Sequence, residues 1–138
     1  MAACSDDKGS NAGSDSTAGS STEAISKAEF VAQGNALCTA LDEHLDPIGE
    51  AVASEDDAIA FLADELVPRL RDTVSQIRAL GFPAGDEELL ASLMDDTDAV
   101  LTEIEADPAT FAQTTDDPFA EINAQLITYG LTVCGQAE

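Results

Sequence analysis

The sequence predicts an all-α fold, a four-helix antiparallel bundle whose first helix is linked to its last by a disulfide between Cys38 and Cys134. Three observations predict it. From Ser26 onward, apolar residues recur every three or four positions, which marks one face of a helix with 3.6 residues per turn. No apolar/polar alternation of period two runs long enough for a strand. Capping residues, prolines and glycines divide the apolar stripes into four segments with short connections, and these pack most simply up-down-up-down.

The first helix opens with Ser26 and Glu29 in the spacing of a capping box, where each side chain satisfies a free backbone amide. Its seam runs through Phe30, Gly34, Leu37, Leu41, Leu45, Ile48 and Val52, with Cys38 on the buried side. Pro47 removes a backbone hydrogen bond, so a kink or break is expected between Leu45 and Ile48. Ser54 caps the second helix and is followed by three acids that complement the helix dipole. Its stripe is Ile59, Leu62, Leu66, Leu70, Val74, Ile77 and Leu80, bent at Pro68 and stopped at Gly81. The third helix begins near Asp86, carries Leu90, Leu93, Thr97, Val100, Leu101 and Ile104, and ends before Asp107 and Pro108. One helical turn is expected around Phe111. The fourth helix has Asp117 as cap and Pro118 at its first position. It runs inward through Phe119, Ile122, Leu126, Tyr129 or Gly130, and Val133, with Cys134 on its last turn and Gly135 closing it.

Domain organisation follows from composition. With 138 residues the chain has room for one core, assigned to 26–138; residues 1–25 are rich in Ser, Gly, Asp, Thr and Ala and read as a disordered linker. As a flexible coil the linker spans roughly 25 Å. Ala2, Ala3 and Cys4 look like the last positions of a bacterial lipobox, without the signal peptide that would precede it, so Cys4 is expected to carry a lipid and to hold the domain at a membrane. Assigning Cys4 to lipid resolves the odd count of three cysteines and leaves Cys38 and Cys134 to pair in an oxidising compartment; the alternative is two unrelated buried thiols.

The stretch Ser26-Lys27-Ala28-Glu29-Phe30-Val31-Ala32 with Cys38 resembles the opening of small lipoproteins of the actinobacterial cell envelope, a family of unknown function. Tyr129-Gly130-Leu131-Thr132-Val133-Cys134-Gly135 resembles their carboxy-terminal stretch. Val67-Pro68 and the segment from Ala79 to Asp86 resemble their middle. The resemblance implies a secreted, lipid-anchored helical domain and supplies no catalytic residues.

Charge excludes one class of function. Five Lys+Arg against 28 Asp+Glu give a formal net charge of -23, and that field repels nucleic acid and anionic lipid alike. A hydrophobic fraction of 44% nevertheless provides for a core, unlike the composition of a wholly disordered chain. His44 is the only histidine, so motifs that need two are excluded; it reads as a core-edge side chain rather than a ligand. Asp95, Asp96, Asp98, Glu103 and Glu105 lack the glycine turn of a calcium loop and read as a solvated helix face. No metal, cofactor or catalytic residue is assigned. Polar residues near the inner face (Gln33, Asn35, Thr97, Asn123, Gln125 and Tyr129) accompany Gly34 and Gly130 in expected mid-helix positions. Close helix packing beside the disulfide accounts for the glycines; a small ligand cleft formed by Tyr129, Asn123 and Gln33 is the sharper alternative. The resulting expectation is a non-enzymatic, extracytoplasmic binding or interaction module anchored to the cell membrane, with a cationic protein or small ligand as partner. The alternative is an acidic cation-binding or buffering protein.

Overall fold

A computed structural model describes residues 24–136, so Cys4 and nearly all of the expected linker lie outside the described residues. Ile25, placed in the linker by composition, packs against the main apolar cluster. Helix α1 (Lys27–Glu50) starts with one half of the expected box: the Glu29 amide donates to Ser26 Oγ at 3.1 Å, while the Glu29 carboxylate accepts from the Ser26 hydroxyl at 3.3 Å in place of the Ser26 amide. The expected break at Pro47 is absent, and α1 continues to Glu50. Pro47 and Glu43, whose carbonyl loses its helical partner there, are both exposed, so water can satisfy that carbonyl.

Pro68 acts differently. Helix α2 (Glu55–Ala60), a π-helical segment (Phe61–Leu66) and helix α3 (Val67–Ala79) follow one another without a gap. Ser54 caps α2 by accepting from the Asp57 amide at 3.1 Å. Proline cannot donate to the carbonyl four residues back and crowds it. The chain widens into i→i+5 bonding just before Pro68, with the Val67 amide donating to the Leu62 carbonyl. The bend expected at Pro68 takes this form.

Helix α4 (Glu87–Ala106) and the short α5 (Pro108–Gln113) match the third helix and the turn around Phe111. Asp107 caps α5, its carboxylate accepting from the Thr110 amide at 3.2 Å and hydroxyl at 2.7 Å; these bonds hold its pKa below the usual aspartate value.

The fourth helix departs from expectation. It is split into α6 (Ala120–Tyr129) and α7 (Thr132–Gln136) at Gly130, whose φ is +124°. The Leu131 amide donates to the Leu126 carbonyl at 2.9 Å and the Gly130 amide to Ile127 at 3.1 Å, a Schellman ending that requires a left-handed residue at this position. Gly130 is therefore a helix terminator, not a mid-helix packing glycine. Gly34 is the packing glycine: a Cβ there would lie 2.6 Å from Cδ2 of the fully buried Leu131.

The helices close a ring. α3 packs along α1 and α4, α6 along α4, and α7 folds back onto α6 and against α1; α2 packs on α5. One apolar cluster includes Phe30, Leu90, Leu93, Tyr129 and Leu131, and a smaller one joins Val67, Leu101 and Ile104. Arg78 reaches from α3 to Asp95 at 2.9 Å and Asp98 at 3.1 Å on α4, and its pKa is raised chiefly by the bond to Asp95. The acidic face of α4 is thus partly an inter-helix clamp.

Candidate functional site

Cys38 and Cys134 form the disulfide that joins α1 to α7, with Cα atoms 5.1 Å apart and 96 residues of separation. Asn35, one turn before Cys38, holds the same junction: its Nδ2 donates to the Gly130 carbonyl at 3.1 Å, and its Oδ1 accepts from the Val133 amide at 3.0 Å. The broken fourth helix brings these groups within reach, because α7 turns its first amides toward α1.

Tyr129, Asn123 and Gln33 are placed apart in role. The Tyr129 hydroxyl donates to Asp86 Oδ2 at 2.8 Å, and its ring meets Phe30 edge-on with centroids 6.2 Å apart. Lys27 Nζ lies 4.2 Å from the Tyr129 ring centroid. Burial, and then the Asp86 carboxylate, push the Tyr129 hydroxyl well above its usual range. The group is a latch between the start of α1, the end of α6 and the start of α4. Asn123 faces the Asp117 carboxylate at 3.5 Å, and Gln33 is exposed on α1. None of the three lines either of the grooves described next.

The larger groove, of ≈ 540 Å³, runs between α1 and the segment from Asp64 to Gln76. On α1 it is lined by Leu37, Ala40, Leu41 and His44, which follow an i, i+3, i+4, i+7 pattern and so share one helix face. The small side chain of Ala40 at the centre of that face leaves room. Opposite stand Asp64 and Glu65 from the π segment and Pro68, Arg69, Asp72, Thr73 and Gln76 from α3. The two walls are antiparallel, since His44 meets Glu65 at 3.7 Å at one end while Leu37 and Gln76 line the other. Glu65 also pairs with Arg69 at 3.2 Å, and Gln76 Nε2 donates to Asp72 at 2.7 Å. A second groove of ≈ 280 Å³ continues past Asp64 and Glu65 toward Phe61, Ile48 and Val52. His44, with its side chain 42% exposed, is thus a rim residue.

Just outside these walls, Asp42 on α1 has its pKa raised by burial and, second, by the charge of Asp46 one turn on. Among the described residues no group of three or more His, Cys, Asp or Glu side chains could hold a metal ion. No described helix is long and apolar enough to cross a membrane.

Apolar periodicity alone does not mark this groove. Pro68 was its visible signal: a proline in mid-stripe forces a local rearrangement, and Asp64 is the residue whose carbonyl it crowds. No protein-family model, curated protein or solved structure matches this chain.

Proposed function

We propose that this chain is an extracytoplasmic binding module of the cell envelope, held at the membrane by a lipid on Cys4 and working without catalysis. The observation that carries this reading is the Cys38–Cys134 disulfide, because such bonds form and persist in oxidising compartments outside the cytosol. The resemblance of the Ser26–Cys38 and Tyr129–Gly135 stretches to actinobacterial envelope lipoproteins supports the same address, as does a polar spacer directly after Cys4. The binding role rests on the open surface groove of ≈ 540 Å³ between α1 and the segment from Asp64 to Gln76.

Mass spectrometry of the membrane fraction tests the anchor. The peptide beginning at Cys4 is expected to carry an acyl-glyceryl mass, and Cys4→Ser is expected to move the protein into the soluble extracytoplasmic fraction. An unmodified Cys4 on protein recovered from the cytosol, with Cys38 and Cys134 reduced, refutes the reading.

Diffuse cation binding is a second reading, and one observation favours it. Each described Lys or Arg already faces a local partner: Lys27 the Tyr129 ring, Arg69 Glu65, Arg71 Glu105 and Arg78 Asp95 and Asp98. No described Lys or Arg is left for the remaining acids, which face neutral donors, solvent and counter-ions. Calorimetry with calcium at moderate ionic strength separates the two, since a buffer protein gives a saturable heat of many equivalents and a groove module does not.

A further inference from the structure

We infer that the groove between α1 and α3 binds a linear aliphatic polyamine, its ammonium groups held by Asp64 and Asp72 and its methylenes lying over Leu37, Leu41 and Pro68. The inference gives a ligand class to the binding role proposed above and rests on that reading.

Thr73 is the deciding residue. It is only 6% exposed and belongs to the groove wall, yet its hydroxyl makes no hydrogen bond among the described residues. Other helical threonines behave otherwise: Thr39, Thr97, Thr102 and Thr128 each donate to the carbonyl four residues back, at 2.8 to 2.9 Å. A buried hydroxyl without a partner costs stability, and its persistence beside an open groove is accounted for by a partner that arrives from outside. The Thr73 hydroxyl oxygen and the Asp72 carboxylate line the same groove, and both are acceptors suited to an ammonium group, which carries only donors.

The rest of the wall fits the same chemistry. Three carboxylates share the wall with one guanidinium; Glu65 engages that guanidinium and Gln76 donates to one oxygen of Asp72, so Asp64 and the other oxygen of Asp72 remain to receive cations. The two lie eight residues apart on nearly continuous helix, a separation of about 12 Å along the axis at 1.5 Å per residue. Pro68 stands midway along the sequence between them, and Leu37 and Leu41 line the same groove from α1, so apolar side chains are present beside the acids. A compact metal ion or a single ammonium would engage one end; a chain with spaced ammonium groups engages both and covers the apolar side chains. The π segment sets the arrangement, because it turns Asp64 and Glu65 into the groove ahead of Pro68.

Calorimetric titration of the full chain with spermidine at physiological ionic strength tests the inference. One saturable equivalent is expected, with hexylamine binding at least tenfold more weakly. Asp72→Asn and Asp64→Asn are each expected to weaken spermidine by about tenfold, the loss of one charge-assisted hydrogen bond, whereas Glu103→Gln on the exposed face of α4 leaves it unchanged. Thr73→Val is expected to weaken binding by a similar factor while leaving the melting temperature unchanged or higher, and Thr73→Ser to retain binding. A lower melting temperature in Thr73→Val with unchanged affinity overturns the inference. So do unsaturable heats, or heats that fall equally in Glu103→Gln and Asp72→Asn, which mean counter-ion condensation only. If spermidine fails while Cys4 is found acylated, the ligand class is wrong and the envelope reading stands. Binding by a chain whose Cys4 is unmodified gives the reverse.

Discussion

The two halves of α1 sit in contrasting surroundings. Around the first half, Phe30 and Leu131 are fully buried, Tyr129 is latched to Asp86, Asn35 clamps the α6–α7 turn and Cys38 is bonded to Cys134. Around the second half, α2, the π segment and α5 contain no fully buried residue, the π segment and α5 pack on the smaller cluster of Val67, Leu101 and Ile104, and the grooves open mainly there. Segments with few buried contacts open at lower free energy than the rest of a domain and are where ligand sites are commonly found. The contrast teaches a division of labour: covalent and aromatic links keep the fold intact at one end, which leaves the other free to carry an open wall with a hydroxyl that has no partner among the described residues.

Removing the disulfide is the strongest way to break that contrast. In the chain-entropy account, a bond closing a loop of this length stabilises by about 4 to 5 kcal/mol. Cys38→Ser with Cys134→Ser is expected to lose an amount of that order in urea unfolding. Hydrogen exchange should accelerate first at α7 and the Gly130 turn. A loss below about 1 kcal/mol, or exchange that accelerates first around the grooves, would show that the two halves are equally well held.

Gly34→Ala tests the same end by packing alone. The added methyl meets Leu131 Cδ2 at 2.6 Å inside a closed core, and overpacking of this kind costs about 1 to 3 kcal/mol. Alanine recovers up to about 1 kcal/mol in helix propensity, so a net loss of about 1 to 2 kcal/mol is expected. A stabilised variant would mean that Leu131 can move, and that the junction is looser than its burial suggests.

Tyr129→Phe gives a smaller effect with a pH signature. Deleting the hydroxyl removes its bond to Asp86, a loss of about 1 kcal/mol at neutral pH. In the wild type the native hydroxyl keeps its proton above the ordinary value of 10.0, whereas the unfolded chain gives its proton up there. The native state then binds more protons, so stability falls as pH rises beyond about 10. The phenylalanine variant lacks that contribution, and stability curves measured from pH 8 to 11 should show a shallower alkaline decline. Parallel curves would remove Tyr129 from the latch.

Where local chemistry decides the structure, the sequence was readable. Ser26 and Ser54 announce their caps, the apolar periodicity places the stripes, and the cysteine count places the bridge. Long-range consequences were harder to read. Gly34 and Gly130 look alike in sequence, and only the position of Leu131 distinguishes a glycine that admits a neighbour from one that ends a helix. Pro47 and Pro68 likewise carry the same local defect. The first lies near a helix end with water at hand, and the second lies inside a longer stripe that widens into a π turn ahead of it. The cleft expected at Tyr129, Asn123 and Gln33 rests on polarity near an inner face. Periodicity cannot show that the Tyr129 hydroxyl already has Asp86, nor that the Thr73 hydroxyl has no partner among the described residues.

Gly49→Ala is the mildest probe, and its sign should be opposite to that of Gly34→Ala. Gly49 lies in the last turn of α1, beside the smaller groove, and an added Cβ would sit 3.7 Å from Phe61 Cζ, an ordinary van der Waals contact. Nothing has to move, so the gain in helix propensity and the smaller entropy of the unfolded chain should appear as stabilisation of up to about 1 kcal/mol. Because the change lies in the open half, slower hydrogen exchange is expected in α2 and the π segment, with little change at α7. A destabilised Gly49→Ala would mean that this half is packed as tightly as the disulfide end, and the physical basis for placing a ligand groove there would be lost with it.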